Sequence, residues 1–223
     1  MESYERPSVT VDIVIFTLHD DDLQVLLIKR RYPPFEGMWA IPGGFVNIDE
    51  GLEEAARREL FEETGLRDIF LEQLYTFGNP GRDPRTRVIS VAYFAVALRS
   101  ATQPRAGDDA AEVAWHSIKE LPDLAFDHAE ILDYALVRLR HKLEYTNIGF
   151  QLLPKEFSLT ELQDVYEIIL GEKLDKRNFR RKVLRAGILE EAGGLRAGDG
   201  RPAKLYRYRK GALPEMKTRR LFP

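Results

Sequence analysis

One stretch, from Gly43 to Leu66, constrains the fold of this chain more than any other. It reads GGFVNIDEGLEEAARRELFEETGL and predicts an amphipathic helix that ends at Gly65. Gly51 is placed to serve as the N-cap, and Glu54 occupies the capping-box position three residues later. The apolar stripe expected to face a core is Leu52, Ala55, Ala56 and Leu60.

The same helix carries three carboxylates on one face, because Glu59, Glu62 and Glu63 stand at i, i+3 and i+4. Crowded carboxylates suit a hard cation such as Mg²⁺ or Mn²⁺, which in turn holds phosphates. A solvated acidic surface would explain E-x-x-E-E alone. The spacing upstream argues for a site instead, since five residues separate Gly44 from Glu50 and seven separate Glu50 from Arg58.

This spacing resembles the signature of the Nudix hydrolase family at every fixed position. The resemblance implies a catalytic set of Arg58, Glu59, Glu62 and Glu63, in which the three glutamates bind Mg²⁺ or Mn²⁺ and Arg58 orients them. Glycine allows close approach of the backbone, so Gly43 and Gly44 are expected next to the metal and phosphates.

Three arginines are candidates for binding the ligand. The approach to the signature, K-R-x-x-x-P-F-x-G-x-W-A-x-P-G-G, is typical of one Nudix branch, and Arg30 or Arg31 within it could reach a bound pyrophosphate. Simple charge pairing with the acidic helix is an equal alternative. Arg82 lies in a turn-rich loop, residues 78–86, which is either a substrate-facing lid or an ordinary hairpin loop.

The surrounding segments complete a first domain. The pattern predicts strands at 9–18, 23–29, 69–77, 87–98 and 112–117, and a helix from Ala125 to Leu143. His128, near the start of that helix, is interpreted as a packing or capping residue. By resemblance this α/β order implies a Nudix α/β/α sandwich. We place the domain boundary so that residues 1–147 form the Nudix domain and 148–223 form a second domain.

The second domain reads as helix, turn, basic helix and β-hairpin, which is a winged helix-turn-helix pattern. Ser158 and Glu161 form a capping box for a helix to about Leu170, and Asp175 caps a second helix that ends at Ala186. Residues 197–202 are the expected tip of the wing. The candidate DNA-binding residues are Lys176, Arg177, Asn178, Arg180, Arg181, Lys204 and Arg207.

The charge distribution agrees with two different roles. From residue 155 onward the chain has 17 Lys and Arg against 10 Asp and Glu, although its net charge is -3. The stretch F-S-L-T-E-L-Q-x-x-Y-E-x-I-L-G-x-x-L-D-K-R-N-F-R-R-K also resembles the DNA-binding half of Nudix-related transcriptional regulators of NAD metabolism. That resemblance implies a homodimer that binds ADP-ribose or a related nucleotide and a double-stranded DNA operator.

The complete signature keeps a second function open. Regulators of this type often have a degenerate signature and do not hydrolyse their ligand, whereas this chain has the full carboxylate set. It is therefore either a DNA-binding regulator that can cleave ADP-ribose, or primarily a Mg²⁺-dependent ADP-ribose pyrophosphohydrolase with an accessory C-terminal domain. A Nudix-fold binding protein without chemistry or DNA contact fits less well, because the second helix is basic.

Composition excludes cysteine-based sites and predicts the cellular location. The chain has no cysteine, so disulfides and thiolate sites are excluded. It shows neither a signal-peptide pattern nor a long apolar span, which predicts a cytoplasmic protein without a membrane partner.

Overall fold

The computed structural model describes residues 6–99, 102–107, 110–196, 202–209 and 211–212. Contacts between Cα atoms divide the chain into two compact units. The first comprises Met1–Thr17 and Gln24–Leu136, and the second comprises Leu18–Leu23 and Val137–Pro223. The proposed boundary at 147/148 stays a prediction. Within the described residues, no helix is long and apolar enough to cross a membrane.

A seven-stranded mixed sheet forms the centre of the first unit. Its strands are β1 (Ser8–His19), β2 (Asp22–Arg30), β3 (Trp39–Ala40), β4 (Gly43–Phe45), β5 (Glu72–Phe77), β6 (Val88–Val96) and β7 (Ala110–Ser117). The order is β3-β2-β1-β6-β5, with β4 also paired to β1 and β7 to β2. The parallel pairing of β1 with β6 brings distant parts of the chain together at the middle of the sheet.

The helix of the signature, α1 (Leu52–Thr64), begins and ends as its sequence predicts. Glu54 Oε2 accepts a hydrogen bond from Gly51 N at 2.8 Å, and Gly65 closes the helix with a left-handed φ of 71°. Its buried Ala55, Ala56 and Leu60 pack against the β1 face formed by Val11, Ile13 and Ile15. The expectation for Leu52 is wrong, because this first residue of the helix lies beyond the edge of that packing and is 38% exposed.

The second helix, α2 (His128–Tyr145), starts three residues later than the sequence indicates. Phe126 has a φ of 55°, so its backbone cannot belong to a right-handed helix. His128 approaches Asp12, whose side chain points to the β1 face opposite Val11 and Ile13. The two helices therefore cover opposite faces of the sheet, which confirms the α/β/α sandwich.

The strand predicted from Ile69 also starts later, at Glu72. The carbonyl of Ile69 accepts a hydrogen bond from Arg57 Nη1 at 3.2 Å, and Asp68 has a φ of 57°. The chain is therefore still turning away from α1 at this point, and pairing with β6 begins only at Glu72.

The second unit contains the predicted winged helix. Its elements are a 3-10 helix (Ile148–Leu152), β8 (Phe157–Ser158), α3 (Leu159–Leu170), α4 (Lys176–Arg185), β9 (Leu189–Arg196) and β10 (Ala203–Tyr208). The three strands form an antiparallel sheet in the order β8-β10-β9. Of the expected wing tip, residues 197–201 lie outside the described residues.

Capping and aromatic packing fix the two helices of this unit. Glu161 N donates to Ser158 Oγ at 3.1 Å and Asn178 N donates to Asp175 Oδ1 at 2.7 Å, as the capping patterns predict. The rings of Tyr166 and Phe179 meet edge-on at 5.4 Å in the core. Val183 of α4 is buried, whereas Leu184, the next residue around the helix, is 48% exposed.

Candidate functional site

A cavity of about 410 Å³ opens in the Nudix unit where β1, β2, β4 and α1 meet the loop after β5 and the start of α2. Its volume lies within the range of about 300–1,000 Å³ that is usual for small-molecule sites. The predicted site residues that line it are Arg30, Arg31, Gly43, Gly44, Arg58, Glu59, Glu63 and Arg82. Glu62 belongs to the same helix face but does not line the cavity.

Arg58 organises the carboxylates of the signature. Its Nη1 donates to both Glu59 Oε1, at 2.8 Å, and Glu62 Oε2, at 2.9 Å. Its Nε and Nη2 donate to the two oxygens of Glu50 at 2.9 and 2.6 Å, and this bidentate pairing lowers the pKa of Glu50 to about 2. The predicted orienting role of Arg58 therefore has a geometric basis.

Both glycines of the signature stand where a side chain would collide. A Cβ at Gly44 would lie 2.4 Å from Glu59 Oε1, and one at Gly43 would lie 2.1 Å from the carbonyl oxygen of Val11. The Gly43 N–H donates to Glu63 Oε2 at 2.8 Å. The backbone of β4 is thus held against the carboxylates of α1, and the predicted approach of Gly43 and Gly44 to metal and phosphates stays a prediction.

Burial perturbs two of the carboxylates. It raises the pKa of Glu63 to about 8, despite the hydrogen bond from Gly43, and the nearby charges of Glu59 and Asp12 act in the same direction. Burial also raises the pKa of Glu59, against the opposing effect of Arg58. Glutamates that are difficult to ionise alone are ready to accept a cation.

The donor set fits Mg²⁺ or Mn²⁺, which prefer carboxylate oxygens. In the described part of the chain, however, no three His, Cys, Asp or Glu side chains already form a metal cage. The guanidinium of Arg58 joins Glu59 to Glu62. Mg²⁺ usually binds through one or two carboxylates together with substrate phosphates, and seldom in an all-protein cage.

A buried charge network at the wall of the cavity was not predicted from the sequence. Arg82 Nε and Nη2 donate to the two oxygens of Asp127 at 2.9 and 2.7 Å, and Nη2 also lies 3.4 Å from Asp12 Oδ2. Asp12 accepts a further hydrogen bond from Ser90. The one available signal was Asp12 itself, a lone charge in an apolar strand, which must be paired when it is buried.

His128 is part of this network and is fully buried. Its Nδ1 accepts a hydrogen bond from Ile41 N at 2.9 Å, and its Nε2 lies 3.6 Å from Asp12 Oδ1. Burial lowers the pKa of His128 against the opposing charge of Asp12, which favours a neutral ring. The interpretation of His128 as a packing residue fits this position, although it also lines the cavity.

The loop after β5 supplies two arginines to the cavity rather than the one predicted. Arg82 Nε and Nη2 both donate to Asp127, so a contact of Arg82 with a ligand stays a prediction. Arg85, which the sequence analysis did not select, also lines the cavity and is held by the buried carboxylate of Asp83. Arg31 also lines the cavity, and its Nη2 donates to the carbonyl of Ala110 at 2.9 Å.

The second candidate site is the basic surface of α4 and the wing. Lys176, Arg177 and Arg181 are exposed there. Some of the predicted contact residues already have hydrogen-bond partners within the protein. Arg181 Nη2 donates to Asn178 Oδ1 at 2.8 Å, and Arg180 Nη2 donates to Thr160 Oγ1 at 2.9 Å.

The two basic residues of the wing pair with neighbouring carboxylates. Lys204 Nζ lies 2.9 Å from Glu191 Oε1, and Arg207 Nε lies 2.6 Å from Glu190 Oε1. Such exposed pairs are screened by solvent and contribute little to stability, so a DNA phosphate could readily replace the carboxylate.

Comparison with family models identifies both units. The model of the NUDIX domain matches residues 8–135, and the model of the NrtR DNA-binding winged helix domain matches residues 149–208. The chain is 41% identical over 209 residues to the ADPR responsive transcriptional repressor NtrR of Acinetobacter baylyi, covering 92% of this chain and 83% of that protein. It is also 43% identical over 132 residues to the ADP-ribose pyrophosphatase of Methanocaldococcus jannaschii, covering 59% and 75%.

Solved structures of a third relative match in the same way. Shewanella oneidensis NrtR complexed with a 27mer DNA superposes with a TM-score of 0.80 at 38% identity, covering 95% of this chain and 96% of that chain. The NUDIX domain of the same protein complexed with ADP ribose has a TM-score of 0.57 at 38% identity, covering 61% and 90%.

Proposed function

We infer the function from one premise: the chain belongs to the Nudix family, and to the members in which an NrtR-type winged helix follows the Nudix domain. It is a DNA-binding transcriptional regulator whose Nudix domain binds ADP-ribose. The observation that carries this conclusion is the match to a DNA-bound regulator over 95% of the chain, through both units at once. The Acinetobacter relative is a repressor that responds to ADPR. This supports a regulator whose repression changes, in either direction, when ADP-ribose binds.

The ligand we propose for the cavity is ADP-ribose or a closely related nucleoside diphosphate. The cavity is lined by the guanidinium groups of Arg30, Arg31 and Arg85 and by the carboxylates of Glu59 and Glu63. A diphosphate can satisfy both, because its oxygens accept hydrogen bonds from guanidinium groups and share a divalent cation with carboxylates.

We also propose that the protein retains hydrolytic activity, with Glu59, Glu62 and Glu63 as the ligands of Mg²⁺ or Mn²⁺. Mg²⁺ or Mn²⁺ bound by these glutamates would supply polarisation of the phosphoryl group and a more acidic water. Arg58 keeps Glu59 and Glu62 together, and Gly43 holds Glu63 in place through its N–H. Cleavage of the diphosphate of ADP-ribose by water gives AMP and ribose 5-phosphate.

A second function is favoured by one observation, the complete carboxylate set. This chain is also 43% identical over 132 residues to an ADP-ribose pyrophosphatase. In that case the chain would be primarily an ADP-ribose pyrophosphohydrolase, and the winged helix would be an accessory domain. The two functions differ in one result, which is specific retention of duplex DNA by the purified protein.

For DNA binding we propose that α4 enters the major groove and the wing contacts the backbone. Arg177 stands at the N-terminal end of α4, the end from which recognition helices usually read bases. In the described residues it makes no hydrogen bond or ion pair, so its donors are available. We further propose a homodimer that presents two copies of α4 to successive major grooves of a near-palindromic operator.

The DNA-binding proposal predicts different losses for two arginines. Arg177→Ala should weaken binding to an operator at least about tenfold and change random DNA little, because a bidentate contact with guanine is lost. Arg207→Ala should weaken both duplexes alike and reduce the salt slope by about one, because a phosphate contact is lost. Fluorescence anisotropy on both duplexes at several salt concentrations measures these effects, with the operator selected from a random library by the protein itself.

The two variants are matched, since each removes one exposed arginine from the same unit. Equal losses of Arg177→Ala on operator and random DNA would contradict its base-reading role. If neither variant changed DNA retention, the winged helix would not be the DNA-binding surface, and the alternative function would stand.

A further inference from the structure

Two guanidinium groups converge on one aromatic ring at the rim of the cavity. The Cζ atom of Arg30 lies 4.9 Å from the ring centroid of Phe126, and that of Arg85 lies 5.7 Å from the same centroid. Arg85 also lies 5.1 Å from the ring of Phe45. All four residues line the cavity, so a ligand bound there meets both positive charges together.

Arg30 has no carboxylate partner in the part of the chain that the structure describes. Its Nε donates to the carbonyl of Pro34 at 2.8 Å and its Nη2 to that of Tyr32 at 3.4 Å. Burial and the charge of Arg85 lower the pKa of Arg30 more than Glu63 and Asp83 raise it. Two like charges that repel one another beside a cavity would be stabilised by an anion placed between them.

The protein holds this arrangement at some conformational cost. Phe126 has a φ of 55° and Phe35 has a φ of 62°, values that bulky residues rarely adopt. The two rings meet edge-on at 4.7 Å. Uncommon backbone conformations of this kind tend to occur at ligand sites, where the fold enforces them.

Arg85 is fixed from the opposite side. Its backbone N, its Nε and its Nη2 donate to the carboxylate of Asp83 at 2.9, 3.0 and 2.7 Å. The Asp83 side chain is only 4% exposed, whereas that of Arg85 is 41% exposed. A guanidinium has five donors, so Arg85 keeps three for a ligand while its position is already set.

We propose that Arg30 and Arg85 form a clamp that binds the diphosphate of ADP-ribose without a divalent cation. The proposal rests on the proposed function and divides the cavity by task. The arginine clamp serves sensing, and the carboxylates of α1 serve hydrolysis alone. Two guanidiniums match the two negative charges of the diphosphate, and the aromatic ring between them excludes water on one side.

Binding of ADP-ribose to the full-length protein in EDTA tests the clamp, with isothermal titration calorimetry as the measurement. Wild type should bind in EDTA, and Mg²⁺ should change its affinity for the non-hydrolysable α,β-methylene analogue of ADP-ribose by less than about threefold. Arg85→Ala should bind at least about tenfold more weakly in EDTA. Arg85→Lys, which keeps the charge but not the two-pronged geometry, should fall between them.

Arg87→Ala is the matched control. Arg87 is exposed two residues away, its Nη1 donates to the carbonyl of Val88, and it does not line the cavity. Its affinity for ADP-ribose should equal that of wild type. Adenosine lacks the diphosphate that the clamp is proposed to bind. It should therefore bind wild type and Arg85→Ala equally.

The outcomes separate the clamp from the proposed function. If wild type binds ADP-ribose only with Mg²⁺, the clamp is wrong while the ligand assignment stands. If Arg85→Ala binds as well as Arg87→Ala in EDTA, the clamp is wrong as well. If wild type binds ADP-ribose in neither buffer, the proposed ligand is wrong and the clamp falls with it.

Discussion

Glu62→Gln should reduce Mg²⁺-dependent hydrolysis of ADP-ribose at least about 100-fold, because it removes one charged oxygen ligand of the proposed cation. Loss of part of the several kcal/mol that a metal contributes to the transition state is enough for this effect, at 1.36 kcal/mol per factor of ten. The fold should survive, since the Glu62 side chain is 54% exposed and its one hydrogen bond in the described structure is with Arg58.

The measurement is release of AMP and ribose 5-phosphate by purified protein with Mg²⁺. Glu53→Gln is the matched control on the same helix, because Glu53 is exposed, pairs with Arg57 and does not line the cavity. Its rate should equal that of wild type. Equal rates for Glu62→Gln and Glu53→Gln would exclude Glu62 as a metal ligand, and absence of turnover in wild type would exclude hydrolysis altogether.

Arg82→Met should destabilise the Nudix unit by about 3–5 kcal/mol, the usual cost of removing one partner from a buried ion pair. The Arg82 side chain is 4% exposed, and its removal leaves the carboxylates of Asp127 and Asp12 without their cation. Methionine fills most of the volume of the arginine side chain. The lost free energy of unfolding therefore reports the missing charge more than lost packing. Asp12 is only 6% exposed, so solvation cannot fully replace the lost cation.

Urea unfolding followed by tryptophan fluorescence measures this loss in one unit only. Both tryptophans, Trp39 and Trp115, belong to the Nudix unit, so the signal is not mixed with unfolding of the winged helix. Arg87→Met, an exposed replacement in the same loop region, should change the free energy of unfolding by less than about 0.5 kcal/mol. A result for Arg82→Met within that range would show that the pair is not needed to neutralise Asp12 and Asp127.

Local rules of sequence predicted the elements that contain their own start and stop signals. Gly51 with Glu54, and Ser158 with Glu161, cap the two helices that they were expected to cap. Gly65 likewise ends α1 where the sequence predicted the end of that helix. In each case the residues that decide the structure lie within a few positions of one another.

The remainder depends on contacts between distant segments, which no local pattern records. Asp12, His128 and the pair of Asp83 and Arg85 come from three parts of the chain and meet because β1 pairs with β6 and α2 covers the same face. The late start of α2 has a similar origin. The φ of 55° at Phe126 is imposed by its place against Arg30 and Phe35, whereas its helical periodicity alone suggested a helix from Ala125.

The central claim is that ADP-ribose and DNA binding are coupled in one protein, and a titration of operator DNA at increasing ADP-ribose tests it most directly. Fluorescence anisotropy in EDTA and again in Mg²⁺ should show the operator affinity changing at least about tenfold as the nucleotide saturates. Linkage then requires operator DNA to change the affinity for ADP-ribose by the same factor. An operator affinity that stays within about twofold in both buffers at saturating ADP-ribose would contradict the assignment of this protein as a nucleotide-responsive regulator.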